Sequence, residues 1–594
     1  MILQALTSYY EALRDKGVLS APGWDDNFKV SYELRLNDSG QLVRLMNLGS
    51  TSEKGKLIPR PMRVPKHSTR SSGILANFLC DTSSYLLGAD EKGKPERAIE
   101  CFKASSSLHH TILDGVDSPV AKAILAFFDH WNPAQAATHP LLAEQWKNIS
   151  SNANIILGYE DSNGHHEFSI ESDIIQVAWE KYYNNNSADA FIGPCLVTGK
   201  EGPIERTHPN ISGFPGAQSS GASLVSFNAS AFCSYGHEQG SNAPVSKYAA
   251  FAYTTALNYL LSDRKKHCRI IGKGNDVTAV VCWAKSANPV YSQVGCDMMF
   301  FDSSGEMQES TLFHIVKCLS IGQPYCSDGI TLSPEEHFYV LGISPNAARL
   351  SVRFFLQDTF GSFAQNLTRF WTDTEIVRPI QDMRQNLSVW SLAMTTVRTS
   401  STSSSLPSPS PSPQLVGDLL RSVLTGGHYP ATLLSGVTLR IRAEHNVSRG
   451  RAAALKAYYL RNRPNVIPEE VLVMSLNESS SYSPYVLGRL FSVLESVQYD
   501  ANPNIKATIK DCYFNSACAT PSLAFPTLIK LSQKHLQKLP KERAIFYRKL
   551  ITELMGRFSE NGFPARLSLP EQGAFEIGYY HQTQERFAKK NEEE

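Results

Sequence analysis

The stretch SSTSSSLPSPSPSP, residues 400–413, divides this chain of 594 residues. Serine and proline at this density cannot build a hydrophobic core, and such segments behave as extended linkers. Alternating hydrophobic stretches occur before it, whereas helical periodicity dominates after it. The sequence therefore predicts the fold class α+β. A mixed body of sheet and helices is expected over residues 1–399, followed by a linker over 400–413 and a C-terminal helical bundle over 414–594.

Individual elements of the body can be predicted from their spacing. Leu3, Leu6, Tyr10 and Leu13 indicate a first helix, and Gly17 supplies its stop. Strands are predicted where apolar and polar residues alternate or where β-branched residues cluster, in stretches 30–36, 277–283 and 349–356. A loop rich in proline and basic residues is expected over 53–73.

Two amphipathic helices are predicted beyond the linker. Their apolar positions recur at the three- and four-residue intervals that place them on one helical face. These positions are Val486, Leu487, Leu490, Phe491, Leu494 and Val497 in one helix, and Ile545, Leu550, Ile551 and Leu554 in the other.

Charge is distributed unevenly although the net charge is only +1. Residues 414–594 hold 23 Lys and Arg against 17 Asp and Glu, which leaves 34 against 39 for residues 1–413. A basic C-terminal part suggests a polyanionic partner.

The sequence gives no sign of catalytic or metal chemistry. Eleven cysteines are scattered without the spacing of zinc, redox or disulfide sites. No Walker loop, nucleophile elbow or metalloprotease motif is present. We therefore expect a protein that is not an enzyme and carries no cofactor or metal. The lack of a signal peptide and of a long apolar run predicts a cytoplasmic protein without a membrane partner.

Residues 54–70 form one basic segment. It contains no acidic residue, and its prolines 59, 61 and 65 are expected to hold it out of helix and sheet. Such a cationic loop suits contact with phosphates, although a solvated surface loop is an equal alternative. Its cations are Lys54, Lys56, Arg60, Arg63, Lys66 and Arg70.

Further basic clusters lie beyond the linker. Seven cations occur in residues 440–463 against the single acid Glu444, and we expect them to repel one another unless a polyanion or solvent screens them. Lys530, Lys534 and Lys538 are spaced to share one helical face, which could equally be plain solvated surface. An electrostatic track along nucleic acid would explain both clusters. The cations of the first cluster are Arg440, Arg442, Arg449, Arg451, Lys456, Arg461 and Arg463.

Residues 211–244 are rich in glycine and neutral polar side chains. Glycine permits close approach of the backbone to a partner, and Gln218, Ser219 and Asn228 offer groups that can read base edges. A structural connector between strands explains the same composition, and the residues alone slightly favour that interpretation.

Several stretches resemble one family, the Csd-type large subunit of the type I-C CRISPR Cascade. They are distributed from one end of the chain to the other, and together they are highly specific. Cys512, where a basic residue is expected, and the Ser/Pro run depart from the family pattern. The matching stretches are 2–6 (ILQAL), 77–81 (NFLCD), 216–222 (GAQSSGA), 242–246 (NAPVS), 341–349 (LGISPNAAR), 487–491 (LGRLF), 508–511 (TIKD) and 577–582 (IGYYHQ).

The resemblance implies a role in RNA-guided antiviral defence. The large subunit of such complexes reads the protospacer-adjacent motif (PAM) on target double-stranded DNA, starts strand separation and holds the displaced strand. The implied partners are the CRISPR RNA, the repeated backbone subunit, the RNA-processing subunit and a recruited helicase–nuclease.

Candidate residues follow from that role. Arg60, Arg63, Lys66 and Arg70 would grip the DNA backbone, and Asn77, Gln218, Ser219 and Asn228 would check bases or open the duplex. Arg440, Arg442, Arg449, Arg451, Lys456, Lys530, Lys534 and Lys538 would follow a backbone or the displaced strand. The alternatives are a nuclease subunit with an unrecognised active site and a scaffold subunit that does not touch DNA.

Met474 is predicted to start a second, smaller protein. Residues 474–594 would form a separate helical subunit of 121 residues, the kind that the resemblance implies along the displaced strand. Codons for Glu469 and Glu470 can form a purine-rich ribosome-binding site, and three codons separate them from Met474. An ordinary internal methionine is the alternative.

Overall fold

The fold is given by a computed structural model with side chains. The residues that the structure describes are 1–51, 57–68, 70, 73–91, 94–185, 191–218, 221–273, 276–300, 308–327, 329–398, 410–560 and 562–592.

The chain forms two compact units. The first unit consists of Met1–Pro209 and Ser226–Ala256, and the second of Asn210–Val225 and Leu257–Glu594. The Gly-rich segment 210–225 thus belongs to the second unit, although the chain on both of its sides belongs to the first.

The first unit combines short strands with helices. Its helices are α1 Ile2–Asp15, α2 Ser83–Leu86, α3 Pro95–Leu113, α4 Pro119–His130, α5 Trp146–Ser150, α6 Asp173–Asn185 and the first part of α7 Lys247–Ser262. Its strands are β1 Trp24–Val30, β2 Tyr32–Leu36, β3 Leu42–Asn47, β4 Ser50–Thr51, β5 Leu57–Ile58, β6 Arg60–Pro65, β7 Cys80–Asp81, β8 Ile155–Glu160, β9 His166–Phe168, β10 Ile192–Pro194 and β11 Glu201–Pro203.

The central sheet of the first unit has the strand order β3-β2-β8-β7, and β9 also pairs with β8. Strands β2 and β8 run parallel, and the other pairs are antiparallel. Leu34, Leu36 and Leu157 are fully buried in the same core as Ile124 and Phe127 of helix α4. Burial of one sheet face against helices explains the period of two in the sequence of β2.

The second unit begins with a sheet and continues as a helical bundle. Its strands are β12 Cys268–Lys273, β13 Asp276–Ala284, β14 Tyr325–Ser327, β15 Ile330–Leu332, β16 His337–Asn346 and β17 Arg349–Thr359. Its helices, after the end of α7, are α8 Pro289–Phe300, α9 Glu309–Ser320, α10 Phe360–Thr374, α11 Val389–Met394, α12 Pro413–Thr425, α13 Ala431–Glu444, α14 Arg449–Asn462, α15 Ser483–Ala501, α16 Ile509–Ala519, α17 Pro521–Leu536, α18 Lys541–Met555 and α19 Leu569–Glu592.

The second unit contains a four-stranded antiparallel sheet with the strand order β12-β13-β16-β17. Its buried residues Val280, Val340 and Phe354 share a hydrophobic core with the helices, and this core continues into the bundle as far as Tyr580. The α+β fold class predicted from the sequence is confirmed, with helices dominating toward the C-terminus.

The Ser/Pro run does not separate two cores in the way we expected. Helix α12, which follows it directly, packs on α10 and α11, which precede it, and all three belong to the second unit. Leu415 and Val416 are buried in the same hydrophobic core as Leu367 and Leu392. Of the predicted linker, residues 400–409 lie outside the described residues, and Pro413 already begins α12. The structure instead divides the chain after residues 209, 225 and 256.

Most of the predicted elements are present. The first helix ends at Asp15, and Gly17 adopts the left-handed conformation with φ of 71°. Strands β13 and β17 occupy two of the predicted stretches, and β2 occupies residues 32–36 of the third, whose first residue, Val30, ends β1. Helices α15 and α18 are the two predicted helices.

Candidate nucleic-acid interface

A two-stranded antiparallel ribbon, β1–β6, contains the middle of the first basic segment. Trp24 pairs with Pro65 and Val30 with Arg60. The expectation that prolines 59, 61 and 65 keep this segment out of a sheet is therefore wrong. Among the described residues β6 pairs only with β1, and an unpaired edge tolerates proline because no ladder hydrogen bond is needed there.

Three cations project from this cationic ribbon, as we call β1–β6. Arg60 and Arg63 are exposed on β6, and Lys29 is exposed on β1, where it pairs with Pro61. The guanidinium carbon of Arg63 lies 4.3 Å from the ring centroid of Trp24, which is buried. Arg63 is thus held by a cation–π contact while its outer face remains open to a ligand. The major groove of duplex DNA admits a two-stranded β-ribbon.

The cationic ribbon leads into an aromatic cleft of about 680 Å³ in the first unit. Lys66, the residue after β6, lines it, and its Nζ lies 4.9 Å from the ring centroid of Phe251. Burial lowers the pKa of Lys66, although Asp25 and Glu205 partly offset this effect. The walls of the cleft are formed by Phe78, Trp179, Tyr182, Tyr183, Tyr248 and Phe251.

Arg70, predicted to contact the DNA backbone, is held inside the first unit by an acidic residue that lies outside the basic segment. Its guanidinium forms a two-pronged pair with Asp81, with 2.9 Å between Nη1 and Oδ1. Its Nε donates to the carbonyl of Leu75 at 2.6 Å, and its guanidinium carbon lies 3.9 Å from the Tyr85 ring centroid. Arg70 therefore fixes the chain that follows Lys66.

Asn77 lines the aromatic cleft but is only 4% exposed. Its Oδ1 accepts from the backbone N–H of Ser68 at 3.0 Å, and its own N–H donates to Asp81 at 2.9 Å. Its Nδ2 lies 3.2 Å from Nδ1 of His67. Burial lowers the pKa of His67, which favours the neutral ring, and a neutral ring with an unprotonated Nδ1 can accept from this amide. Asn77 thus positions the cleft wall beside Lys66.

Gln218 is exposed in the Gly-rich loop of the second unit. Ile211 and Ala222 close this loop through two backbone hydrogen bonds of 2.8 and 3.0 Å. Gly221 has φ of 87°, and a Cβ atom there would lie 2.8 Å from the carbonyl oxygen of Ile211. Ser223 then bridges to Arg349. The chain directly after Ala222 therefore meets the end of the stretch 341–349, although the two are distant in sequence.

Two other predicted base-reading residues have different positions. Ser219 lies outside the described residues. Asn228 is exposed in the first unit, and it is therefore not in the same unit as Gln218. Lys54 and Lys56 of the basic segment also lie outside the described residues.

Four cations of segment 440–463 are buried and form internal contacts, so the expected exposed track is wrong for them. Arg449 pairs with Asp382 at 3.0 Å, Arg451 with Glu444 at 2.6 Å, and Arg461 with Asp373 at 2.6 Å. Lys456 donates to the carbonyl oxygens of residues 372, 373 and 375 at 2.8–3.2 Å, which caps the end of α10. Burial lowers the pKa of this lysine.

The other cations of that segment lie nearer the surface. Arg440 is half-buried, with Nη1 3.7 Å from Glu444. Arg442 is exposed and donates to Gln572 at 2.7 Å. Arg463 is exposed. The predicted cluster is therefore mainly an internal network that connects α10, α13 and α14.

The predicted lysine stripe is exposed. Lys530 and Lys534 lie on α17, which ends at Leu536, and Lys538 follows the helix end. Lys538 donates to Oδ1 of Asn502 at 3.2 Å. Lys530 and Lys534 remain available to an anionic ligand at the surface of the bundle.

The structure thus brings together Arg60, Arg63, Lys66 and Asn77 in the first unit. Lys29 was not identified from the sequence, because a single lysine in a strand forms no cluster or periodic pattern that would mark it as part of a binding surface. Lys247, which also lines the aromatic cleft, was missed because it is far away in sequence. Within the described ranges no group of three His, Cys, Asp or Glu side chains could hold a metal. The same ranges contain no helix with the length and apolar character needed to cross a membrane.

Fold and surface together define an α+β protein with a cationic ribbon, an aromatic cleft and an exposed lysine stripe. The sequence model of the CRISPR-associated protein (Cas_Csd1) family matches residues 6–587. The chain therefore belongs to the Cas_Csd1 family of CRISPR-associated proteins. A search of curated proteins found no match to the chain.

Proposed function

We propose that this chain is the large subunit of a type I-C Cascade, which binds target double-stranded DNA and reads the PAM. Membership of a CRISPR-associated family supports a place in a CRISPR effector complex. In RNA-guided recognition base pairing supplies the sequence specificity, so the protein needs a grip on the duplex backbone and a small number of base contacts.

The observation that carries the proposal is the cationic ribbon ending at the aromatic cleft. Lys29, Arg60 and Arg63 offer exposed positive charge, and Lys66 continues it into a cleft with aromatic walls. Positive charge binds phosphates independently of sequence, whereas aromatic rings accept unstacked bases. A duplex gripped by the ribbon would place its first opened bases near the cleft.

Gln218 is our candidate for the base check. It is exposed in a loop that the Ile211–Ala222 closure holds in place, and a side-chain amide can both donate and accept at a base edge. Lys530 and Lys534 are candidates for contact with the displaced strand. The proposed partners are the CRISPR RNA, the repeated backbone subunit, the RNA-processing subunit, small helical subunits from Met474 and a recruited helicase–nuclease.

Two other functions predict different results in one experiment. The assembled complex is incubated with end-labelled target duplex and Mg²⁺ at increasing salt, and both binding and label integrity are measured. A DNA-binding subunit binds with a steep salt dependence and leaves the label intact. Cleavage that requires this chain would instead support a nuclease subunit. Binding unchanged by omission of the chain would support a scaffold.

A further inference from the structure

Tyr235 is 99% exposed, which is unusual for an aromatic side chain in a folded unit. Its backbone has φ of 53°, the left-handed region. A side chain with a Cβ atom is disfavoured there, and non-glycine residues in this region often mark functional sites. Gly236 follows with φ of 74°. The chain therefore makes a strained turn that presents an exposed ring.

The side chain of Asn242 braces the loop around Tyr235. Oδ1 of Asn242 accepts from the backbone N–H of Ser234 at 2.9 Å. Nδ2 of Asn242 donates to the carbonyls of His237 and Gln239 at 3.2 and 3.0 Å. These three bonds span the residues on both sides of Tyr235. These hydrogen bonds hold the turn in the conformation that exposes the Tyr235 ring.

The same loop is attached to the wall of the aromatic cleft. Gly240 donates to the carbonyl of Arg206 at 2.9 Å, and Glu205 donates to that of Val245 at 2.9 Å. A Cβ atom on Gly240 would overlap the carbonyl oxygen of Glu205, so only glycine fits this contact. Glu205 and Lys247, on the two sides of the attachment, line the cleft.

We propose that Tyr235 stacks on an unpaired nucleobase of the bound DNA. This inference rests on the proposed DNA binding and names a residue that holds an opened base. A nucleobase is the occupant that the surroundings favour, because stacking needs only one exposed ring face. Protein hot spots instead place an aromatic ring within a well-packed patch. Residues 234 and 236–238 are small or polar, and all are exposed.

The test uses the complex assembled with the full chain, its RNA and the other subunits. Target DNA carries 5-iodouracil at single positions along the opened region, and ultraviolet cross-links are mapped by mass spectrometry. Y235F retains the ring, whereas Y235N removes it and suits the left-handed backbone. Wild type and Y235F should cross-link at residue 235. Y235N should lose this cross-link and bind the target about tenfold more weakly, with an unchanged melting temperature.

Each other outcome overturns the inference. If wild type binds DNA but never cross-links at Tyr235, or if Y235N binds as tightly as wild type, the proposed DNA binding stands and only the role of Tyr235 fails. If Y235N prevents assembly of the complex, Tyr235 docks on protein instead. If the wild-type complex binds no target DNA, the proposed function and this inference both fail.

Discussion

Gly488 of α15 and Gly578 of α19 each pack directly against the backbone of the other helix. A Cβ atom on Gly488 would overlap the carbonyl oxygen of Phe575, and one on Gly578 would overlap that of Tyr485. Nearby, Nε of Arg489 donates to Oε1 of Gln582 at 3.0 Å, although Arg489 is only 1% exposed. The stretches 487–491 and 577–582 therefore lie where α15 and α19 cross with their backbones in close contact.

Substitution of Gly488 by Ala should lower the free energy of unfolding by about 1–3 kcal/mol, the usual cost of overpacking, because the helices must separate. Gly556→Ala is the matched control, since its Cβ atom would meet only ordinary contacts at 3.5 Å. Denaturant unfolding of the full chain measures both. Equal stability of the two variants would show that the crossing is looser than described.

Glu576 gives stability a specific dependence on pH. This residue of α19 is 2% exposed, and burial raises its pKa to about 8, while Arg442 opposes the rise. The folded chain therefore keeps the carboxyl protonated to higher pH than the unfolded chain does. Its contribution is fully present below the ordinary value of about 4.5 and is lost as pH rises through about 8.

We expect the melting temperature of the wild-type chain to fall over this interval more than that of Glu576→Gln. The exposed Glu560→Gln is the control and should follow the wild type. If the melting temperatures of wild type and Glu576→Gln change in parallel with pH, Glu576 is ionised in the folded chain.

Replacement of Arg60 and Arg63 by Ala should weaken binding of the complex to DNA of any sequence. The slope of the logarithm of the binding constant against the logarithm of the salt concentration should become shallower by about 0.9 for each phosphate that the ribbon no longer neutralises. Lys103→Ala with Lys122→Ala removes the same charge from exposed positions on α3 and α4 and should leave the slope unchanged. An unchanged slope for the ribbon variant would remove the ribbon from the DNA interface.

Local patterns predicted much of the fold, whereas pairing between distant residues was not visible. Strand β2 could be predicted because burial of one face imposes alternation. The ion pairs of the cations could not be predicted, because the partners are distant in sequence. Arg70 pairs with Asp81, eleven residues later, and Arg449 pairs with Asp382, 67 residues earlier. Of the two basic segments, the one at 440–463 therefore forms mainly an internal network, whereas the one that includes β6 exposes Arg60 and Arg63.

Met474 remains the predicted start of a second protein. Helices α15–α19 pack mainly on one another, although their buried residues share one hydrophobic core with α14. In the full chain the carbonyl of Met474 accepts from the backbone N–H of Val377 at 2.7 Å, and the hydroxyl of Tyr580 donates to the carbonyl of Val377 at 2.6 Å. A free fragment would lack both of these hydrogen bonds.

Expression of the unaltered gene should yield a co-purifying protein of 121 residues. Changing the Met474 codon to a non-start codon, or silently changing the codons of Glu469 and Glu470, should abolish it. Intact mass spectrometry identifies its first residue. If the unaltered gene yields no such protein, Met474 is an ordinary internal methionine.

The central claim is that this chain reads the PAM, and Gln218 is its sharpest test. A Gln218→Ala complex should retain bulk affinity while the gap between preferred and rejected motifs narrows by about 1–3 kcal/mol. Gln537→Ala, exposed at the end of α17, is the control and should keep the full gap. If the Gln218→Ala complex also retains the full affinity gap between preferred and rejected motifs, the Gly-rich loop has only a structural role.

The measurement that tests the claim most directly is the affinity of the assembled complex for targets with randomised flanking motifs. Complexes with and without this chain are compared at one salt concentration. We predict a strong preference for a small set of motifs that disappears when the chain is omitted. Equal binding to all motifs in its presence, or the same preference in its absence, would contradict the account.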